Sequence, residues 1–600
     1  MPTIEPGAIV LAILLASLVL LVSDALRYDL VALLVVVSLI VTKCLTPEEA
    51  FAGFASEPVV VIVCLAVFGM ALTRWGFAEM LCRRFLSADG VSEGGLVLRI
   101  SLISAVLAAF LSDAAVVAIL IPMVSTLARL RGVPISRLLM PASYGAFLGD
   151  LLIVIGSAKN IAVNGVLAAN GAQPFGMFGF SHWGLCILGI GLVYLAGPGR
   201  LLLPRGKAST SLTERYRVPK FVTEVLVEPS STLINRSVAD IPLFERHGIA
   251  VLGIVRGGSE AAILAPGPYN RVRTEDTLIL QGEPDAIVRV RAELGLRERT
   301  NVRAGDARLA SADVQLVEAV VPAGSDLAGR TLAEAAFRAH TGLNVLAISK
   351  HGELAATPLQ ETRLAIGDTL LIQGHLRDID RTRGERQIIV LSEVKPPPMG
   401  RAAWTSAAIL AGTIGVTIAG LLPLHVAAVA GVLVLVVARC VPLRDVYREV
   451  DWQVVVLLGG MLALARAFDK YGLARALGEW VTGLRGSVSS PHALLVMLLV
   501  ASTFLAQTTT SIATAVILTP VALAMAAQLG VSDRPFVMAV LTGTNCAFMS
   551  PVAHPANAMI VGAGDYRFRD FLRVGTPLTV LILAAAAFVL PVFWPFSPVA

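Results

Sequence analysis

The sequence predicts an α-helical polytopic membrane protein made of two inverted repeats. Each repeat holds five spans plus one re-entrant hairpin, and a pair of small α+β cytoplasmic domains is inserted between them. Three observations lead there. Of the 600 residues, 56% are hydrophobic and only 15% are charged, with a mean hydropathy of +0.76, so most of the chain belongs in lipid. The apolar runs fall in two sets of seven, near 7–23, 28–43, 57–75, 95–111, 114–128, 138–168 and 181–203, and near 401–421, 424–440, 452–468, 490–507, 510–528, 535–562 and 571–597, with a polar stretch at 204–400 between them. The punctuation of the first set returns in the second: Pro122 and Gly132 recur 398 residues later as Pro520 and Gly530, Asn160 recurs 397 later as Asn557, and Trp75-Gly76 recurs 396 later as Tyr471-Gly472.

Composition narrows the function as well. A net charge of +5 makes no case for nucleic acid, and the six cysteines form no CxxC pair and read as small buried hydrophobes. No pattern calls for a cofactor or for enzymatic chemistry. The first run, Ala8–Val22, follows Glu5 and no basic residue, which suits a first spanning helix better than a cleaved signal peptide.

A spanning helix needs about 20 residues. The segments flanking Ser112-Asp113 and Thr510-Ser511 therefore read as spans or as halves of re-entrant hairpins. The arginines decide. With hairpins, one side of the membrane collects Arg27, Arg74, Arg83, Arg84, Arg129, Arg131, Arg137, Arg439, Arg444, Arg448, Arg567, Arg569 and Arg573, together with the insert. That positive-inside pattern puts residues 204–400 in the cytoplasm and both termini outside. Five spans is an odd number, so the second half is inverted relative to the first, the plan of many secondary transporters.

The insert is a different material. Strand-like runs (Val222–Val227, Ala250–Val255, 277–280) alternate with turn signals at Gly257-Gly258 and Pro266-Gly267-Pro268. Leu233, Gly248, Asp276 and Gly282 recur as Leu327, Gly342, Asp368 and Gly374, at spacings of 94, 94, 92 and 92. The expected domains are 1–203, 204–300, 301–400 and 401–600, and Arg381–Arg386 with Pro396-Pro397-Pro398 forms a charged, stiff linker at the end of the third.

The candidate site lies where apolar runs break. From Gln507 to Gly562 the formal charges are Asp533 and Arg534, yet hydroxyl, His, Pro and Asn residues cluster at Thr508–Ser511 and at Ser550–Asn557. Polar groups at membrane depth need partners, and broken helices mark a transporter's binding site. The twin stretch runs from Ser112-Asp113 to Gly156-Ser157-Ala158-Lys159-Asn160. Helix N-termini at such breaks favour an anion.

With the duplication and both breaks in view, the membrane part resembles the divalent-anion:sodium symporter family of the ion transporter superfamily. The family's hairpin-tip pattern aligns with Ser112-Asp113-Ala114-Ala115-Val116-Val117-Ala118 up to Pro122, and with Thr510-Ser511-Ile512-Ala513-Thr514-Ala515-Val516 up to Pro520. Its Gly-Thr-Pro-Pro-Asn segment aligns with Gly156 to Asn160 and with Ala553-His554-Pro555-Ala556-Asn557. Leu45–Phe54 and Gly564–Leu578 look like the same family. The insert resembles two TrkA-C (RCK C-terminal) modules, carried by Pro322 to Arg330 and Gly367 to Gly374, and no GxGxxG precedes either one.

The resemblance implies a permease of the cell inner membrane, a likeness to homodimers, and a dicarboxylate, citrate or sulfate as the small anionic substrate. It further implies a site formed by Ser112, Asp113, Ser157, Lys159, Asn160, Thr510, Ser511, Thr514, His554 and Asn557, with sodium, where it binds, near Ser112, Asn160, Thr510 and Asn557. This chain departs from the pattern at Asp113, Ser511, Lys159 and Asp150, which leaves coupling open between sodium and protons. Three charges in the core of one half must pair or line a wet cavity. Either Asp113, Asp150 and Lys159 form a structural ion pair, or the Lys159 ammonium stands in for a sodium ion with Asp113 as its partner. His554 is the one residue of the breaks that titrates near neutral pH. Cation/proton antiport and a transporter-like membrane sensor remain the alternatives, and the TrkA-C pair is expected to regulate, with a small ligand as its input.

Overall fold

A computed structural model describes residues 5–23, 26–86, 92–204, 222–238, 249–256, 262–264, 266, 270–281, 284–298, 314–350, 353–354, 359, 361–385, 387–391, 401–473 and 490–597. Gly248, Gly282, the turns at 257–258 and 267–268, and the prolines at 396–398 lie outside the described residues.

The first half folds as α1 (Pro6–Ser23), α2 (Tyr28–Val41), α3 (Pro47–Phe51), α4 (Glu57–Arg74), α5 (Phe77–Leu86), α6 (Glu93–Ala108), α7 (Asp113–Arg131), α8 (Leu139–Gly149), α9 (Ala158–Ala169), α10 (Ser181–Ala196) and α11 (Gly199–Leu202). The insert contributes β1 (Val222–Val227), β2 (Ala250–Val255), β3 (Ala262–Leu264), β4 (Thr277–Gln281), α12 (Pro284–Leu294) and β5 (Leu296–Glu298), and then β6 (Val314–Val320), α13 (Phe337–Thr341), β7 (Asn344–Lys350), β8 (Glu353–Leu354), β9 (Thr369–His375), α14 (Leu376–Gly384) and β10 (Ile389–Val390). The second half holds α15 (Arg401–Ile418), α16 (Leu424–Val437), α17 (Leu443–Glu449), α18 (Trp452–Lys470), α19 (Pro491–Thr508), α20 (Ser511–Leu529), α21 (Arg534–Asn545), α22 (Pro555–Gly564) and α23 (Phe568–Phe593).

The repeated punctuation does the same job in both halves. Pro122 and Pro520 lie inside α7 and α20, where each removes a helical N–H. Gly132 and Gly530 follow those helices with φ of 63° and 65°, the left-handed conformation that glycine adopts without strain. Packing repeats too. The pair α2 on α18 is matched by α16 on α4, the pair α9 on α20 by α22 on α7, and α6 on α8 by α19 on α21. In this last pair the backbones meet: a Cβ added at Gly145 would lie 2.5 Å from the Ser101 carbonyl, and one at Gly543 would lie 1.9 Å from the Ser502 hydroxyl.

Five helical stretches among the described residues are long and apolar enough to cross a membrane, namely Pro47–Arg74 (α3 running through a short turn into α4), Trp452–Lys470, Pro491–Thr508, Ser511–Leu529 and Phe568–Phe593. Three short helices fall outside the apolar runs. Glu48 and Glu49 in α3, Arg83 and Arg84 in α5, and Arg444 in α17 interrupt the hydrophobic signal there. The run expected at 181–203 is two helices, because Gly197-Pro198 separates α10 from α11.

The insert forms two five-stranded sheets, ordered β3-β2-β4-β1-β5 and β8-β7-β9-β6-β10. Advancing each strand of the first by five yields the second, and a bulge between Val251 and Gly253 returns between Val345 and Ala347. The repeated aspartates act alike: Asp276 accepts the Arg273 N–H and Asp368 the Ala365 N–H, both at 2.8 Å. The second sheet is seated on the membrane helices, with β6 against α22 and β10 against α7. At that seat a Cβ on Gly562 would lie 2.1 Å from the Gly367 carbonyl. Val320 and Leu391 join the apolar core of the helices beside them.

Candidate functional site

Each half breaks one helix, between α8 and α9 and between α21 and α22, and one asparagine ties each break together. The Asn160 amide donates to the Asp150 carbonyl at 2.7 Å and reaches the Ile153 carbonyl at 3.5 Å. The Asn557 amide donates to the Ala547 and Ser550 carbonyls at 2.8 and 3.1 Å, the positions 397 residues on. Those carbonyls would otherwise be stranded, since residues 150–157 and 546–554 make few ladder bonds of their own. The two asparagines differ at their other end. Asn557 Oδ1 accepts the Ser143 hydroxyl at 2.8 Å, whereas Asn160 Oδ1 is buried with no hydrogen-bond partner.

Lys159 stands in the first turn of α9, where a cation opposes the helix dipole. Its ammonium is held by two helix C-termini. It donates to Asp150 Oδ2 at 2.5 Å, at the C-cap of α8, and to Asn545 Oδ1 at 2.7 Å, in the last residue of α21. Asn545 in turn donates to the Phe147 carbonyl at 2.7 Å. The expected Lys159–Asp113 pair is thus corrected. Asp150 is the partner, because α8 and α21 point their carbonyl ends at the ammonium, whereas Asp113 opens α7 at the opposite kind of pole.

Asp113 faces His554, with Nε2 3.5 Å from its Oδ2. His554 caps α22, its Nδ1 accepting the Ala556 N–H at 3.3 Å, so in the neutral ring the proton sits on Nε2 and points at Asp113. The Phe147 ring meets the imidazole edge-on at 4.8 Å. Two contacts therefore join the halves here, His554 with Asp113, and Lys159, already paired with Asp150, with Asn545. The three formal charges, Asp113, Asp150 and Lys159, are at most 6% exposed.

At the second tip the Thr510 hydroxyl caps α20 by accepting the Ala513 N–H at 3.3 Å. Thr514 is engaged with Thr509 at 2.6 Å. The Gln507 amide donates to the Cys546 carbonyl at 2.8 Å, linking this tip to the second break. Ser112 is exposed just ahead of α7. Five buried side-chain oxygens at the tips and the first break have no partner: Asp113 Oδ1, Asp150 Oδ1, Asn160 Oδ1, Gln507 Oε1 and Ser511 Oγ. Sequence reasoning passed over Gln507, Ser143 and Asn545. Each is an amide or hydroxyl beside a break, but none has a polar counterpart in the other half to raise it above background.

A duplicated helical bundle with a broken helix in each half, and unsatisfied polar atoms at the breaks, defines a secondary transporter. The chain belongs to the citrate transporter family: the family described as "Citrate transporter" (CitMHS) matches residues 18–489. The sodium:sulfate symporter transmembrane region matches residues 395–597. The chain is 30% identical to an uncharacterized transporter of Synechocystis sp. over 600 residues, covering 98% of this chain and 97% of that one. It is 29% identical to an uncharacterized transporter of Escherichia coli, covering 98% and 99%. Sodium/sulfate cotransporter 2 of Chlamydomonas reinhardtii is 23% identical across 62% of this chain and 43% of its own length. These matches agree with the resemblance read from the tip and break motifs, and with a multi-pass membrane transporter of small anions rather than an enzyme.

Proposed function

We propose that the chain carries a dicarboxylate, citrate or sulfate across the cytoplasmic membrane by alternating access of two inverted repeats. The observation that carries this reading is the packing of α9 on α20, two helices that each begin at a break, with the Ser511 hydroxyl unpartnered at the start of α20. Helix N-termini supply N–H groups and the Ser511 hydroxyl a donor for an anion, while the unpartnered oxygens of Asn160 and Gln507, which only accept, suit a cation or a proton-bearing group of the substrate. Ser112, Ser157, Thr510 and Thr514 complete the walls, and Asn557 braces the second break behind them. Uptake of labelled citrate, succinate and sulfate by proteoliposomes, with and without sodium and at two pH values, tests the reading. Saturable uptake of at least one is expected, and none from the whole panel would refute it.

The insert serves as a cytoplasmic regulator built from two TrkA-C-like modules, 204–300 and 301–400, in a homodimer like those of the family it resembles. Support comes from the seat of the second module on α22, the helix that starts at His554. Gly562→Val is expected to lift that module off the helix, because its Cβ has no room beside the Gly367 carbonyl. The maximal uptake rate should change several-fold while KM for the anion stays near wild type. An unchanged rate in a well-folded variant would detach the insert from regulation.

A further inference from the structure

Helix α5 stands apart from the spans around it. It has 10 residues and is therefore about 15 Å long, roughly half the thickness of a bilayer's hydrocarbon core, so it cannot cross. One face is settled. Ala78, Cys82 and Leu86, four residues apart, are buried in the core of the helices, and α5 packs on α4, α6, α7 and α15. The other face carries Arg83, Arg84 and Phe85, all exposed. A short helix with one apolar and one basic face lies in the plane of a membrane surface.

Two tryptophans fix the depth. The Phe77 ring at the start of α5 meets Trp404 edge-on at 5.7 Å, and Trp404, in the first turn of α15, keeps 58% of its surface exposed. Trp452 opens α18 in the same way, at 53%. Exposed tryptophans at the ends of apolar helices mark the headgroup level. Arg401 lies three residues before Trp404, on the same face of α15, and Arg74 ends α4 just ahead of α5; both are exposed. Along Arg74–Leu86 and Arg401–Thr405 there are four arginines and one carboxylate, Glu79. A guanidinium has five N–H donors in a fork that matches a phosphate, so each can keep a contact within the fold and still hold one.

We propose that this face, formed by Arg74, Arg83, Arg84, Phe85, Arg401 and Trp404, binds the headgroup of an anionic phospholipid in the leaflet on the arginine-rich side of the membrane. The arginines take the phosphate, and Phe85 and Trp404 lie along the acyl chains beneath it. Charge complementarity selects the partner, since a zwitterionic headgroup brings an ammonium of its own into a patch already positive. In the chain α5 stands between α4 and α6, and it touches α7 as well. The lipid therefore sits behind the two helices that flank the Ser112-Asp113 tip.

Thermal unfolding of the purified full-length protein in detergent, titrated with phosphatidylglycerol, phosphatidylcholine or inorganic phosphate, tests the site. Phosphatidylglycerol should raise the melting temperature saturably, and the other two should not. Arg83→Gln combined with Arg84→Gln should melt close to wild type without lipid, because both side chains are exposed, and should weaken phosphatidylglycerol binding about thirtyfold. A second measurement needs no arginine variant. Phosphatidylglycerol brominated in its acyl chains should quench the tryptophan fluorescence of wild type more than brominated phosphatidylcholine, and Trp404→Leu should remove most of the excess. Equal shifts or equal quenching by the two lipids overturns the proposal. So does a shift by inorganic phosphate alone, which would make the face a free-anion site. Phosphatidylglycerol binding undiminished by loss of both arginines also overturns it, and a change of oligomeric size in that variant would give the face to a second copy of this chain.

Discussion

Replacing Lys159 with alanine is expected to destabilise the protein by about 3–5 kcal/mol, because it leaves Asp150 buried without its partner. The loss is greater than a missing contact. Asp150 Oδ2 would have no donor, Asn545 Oδ1 would lose its own, and the C-termini of α8 and α21 would meet with nothing positive between them. Uptake should fall to background. Asp150→Asn combined with Lys159→Ala removes both charges and is expected to regain most of the stability, so the two changes should be strongly non-additive. Thermal unfolding in detergent across the four proteins of this cycle measures the coupling. Sodium is expected to raise the melting temperature of Lys159→Ala and to leave that of wild type unchanged, as a free cation enters the position of the ammonium. Additive single-variant effects would show that the pair is not coupled.

The second large effect separates two residues that the repeat makes equivalent. Asn557→Ala strands the carbonyls of Ala547 and Ser550 and the hydroxyl of Ser143, all at buried residues. At about 1–3 kcal/mol for each buried group left unpaired, the expected outcome is poor folding or a sharply lowered melting temperature. Asn160→Ala also frees carbonyls, but it removes in addition an oxygen that nothing in the chain satisfies. Because that oxygen only accepts, the expected signature is weaker binding of a cation or of a substrate hydroxyl, seen as altered uptake kinetics, on top of a smaller loss of stability. Uptake kinetics together with unfolding curves distinguish the two. Equal loss of affinity in well-folded forms of both would mean that Asn557 also meets the substrate.

Much of this architecture was legible in the residues themselves. Proline and glycine can occupy only certain places in a helix, so a fixed spacing between Pro122 and Pro520, or between Gly132 and Gly530, transmits a duplication that the other side chains have lost. Buried charge is equally legible: Asp113, Asp150 and Lys159 stood out because lipid tolerates so few. Their pairing was not. Asp150 and Asp113 are both plausible partners on sequence distance, and the choice depends on which helix ends converge, a property of tertiary packing. Asn545 escaped for the same reason, since its role comes from reaching Lys159 of the other half. Charged amphipathic pieces such as α5 were hidden because a search for apolar runs steps over Arg83 and Arg84. The seat of the second module on α22 left no trace in the chain, since Gly367 and Gly562 read as ordinary turn and helix glycines until their backbones are seen to touch.

That seat breaks the symmetry between the halves. α9 and α20 rest on α18, whereas their counterparts α22 and α7 carry strands β6 and β10. An inverted-repeat transporter that switches by exchanging the arrangements of its halves would bring α22 and α7 towards α4, past the strands they now carry. On the proposed regulatory role, the second module would act as a weight on one pan of a balance, leaving the two transport states intact and setting how often each is visited. A ligand that loosened or tightened the Gly367–Gly562 contact by about 1.4 kcal/mol would shift the ratio of those states tenfold without touching the substrate.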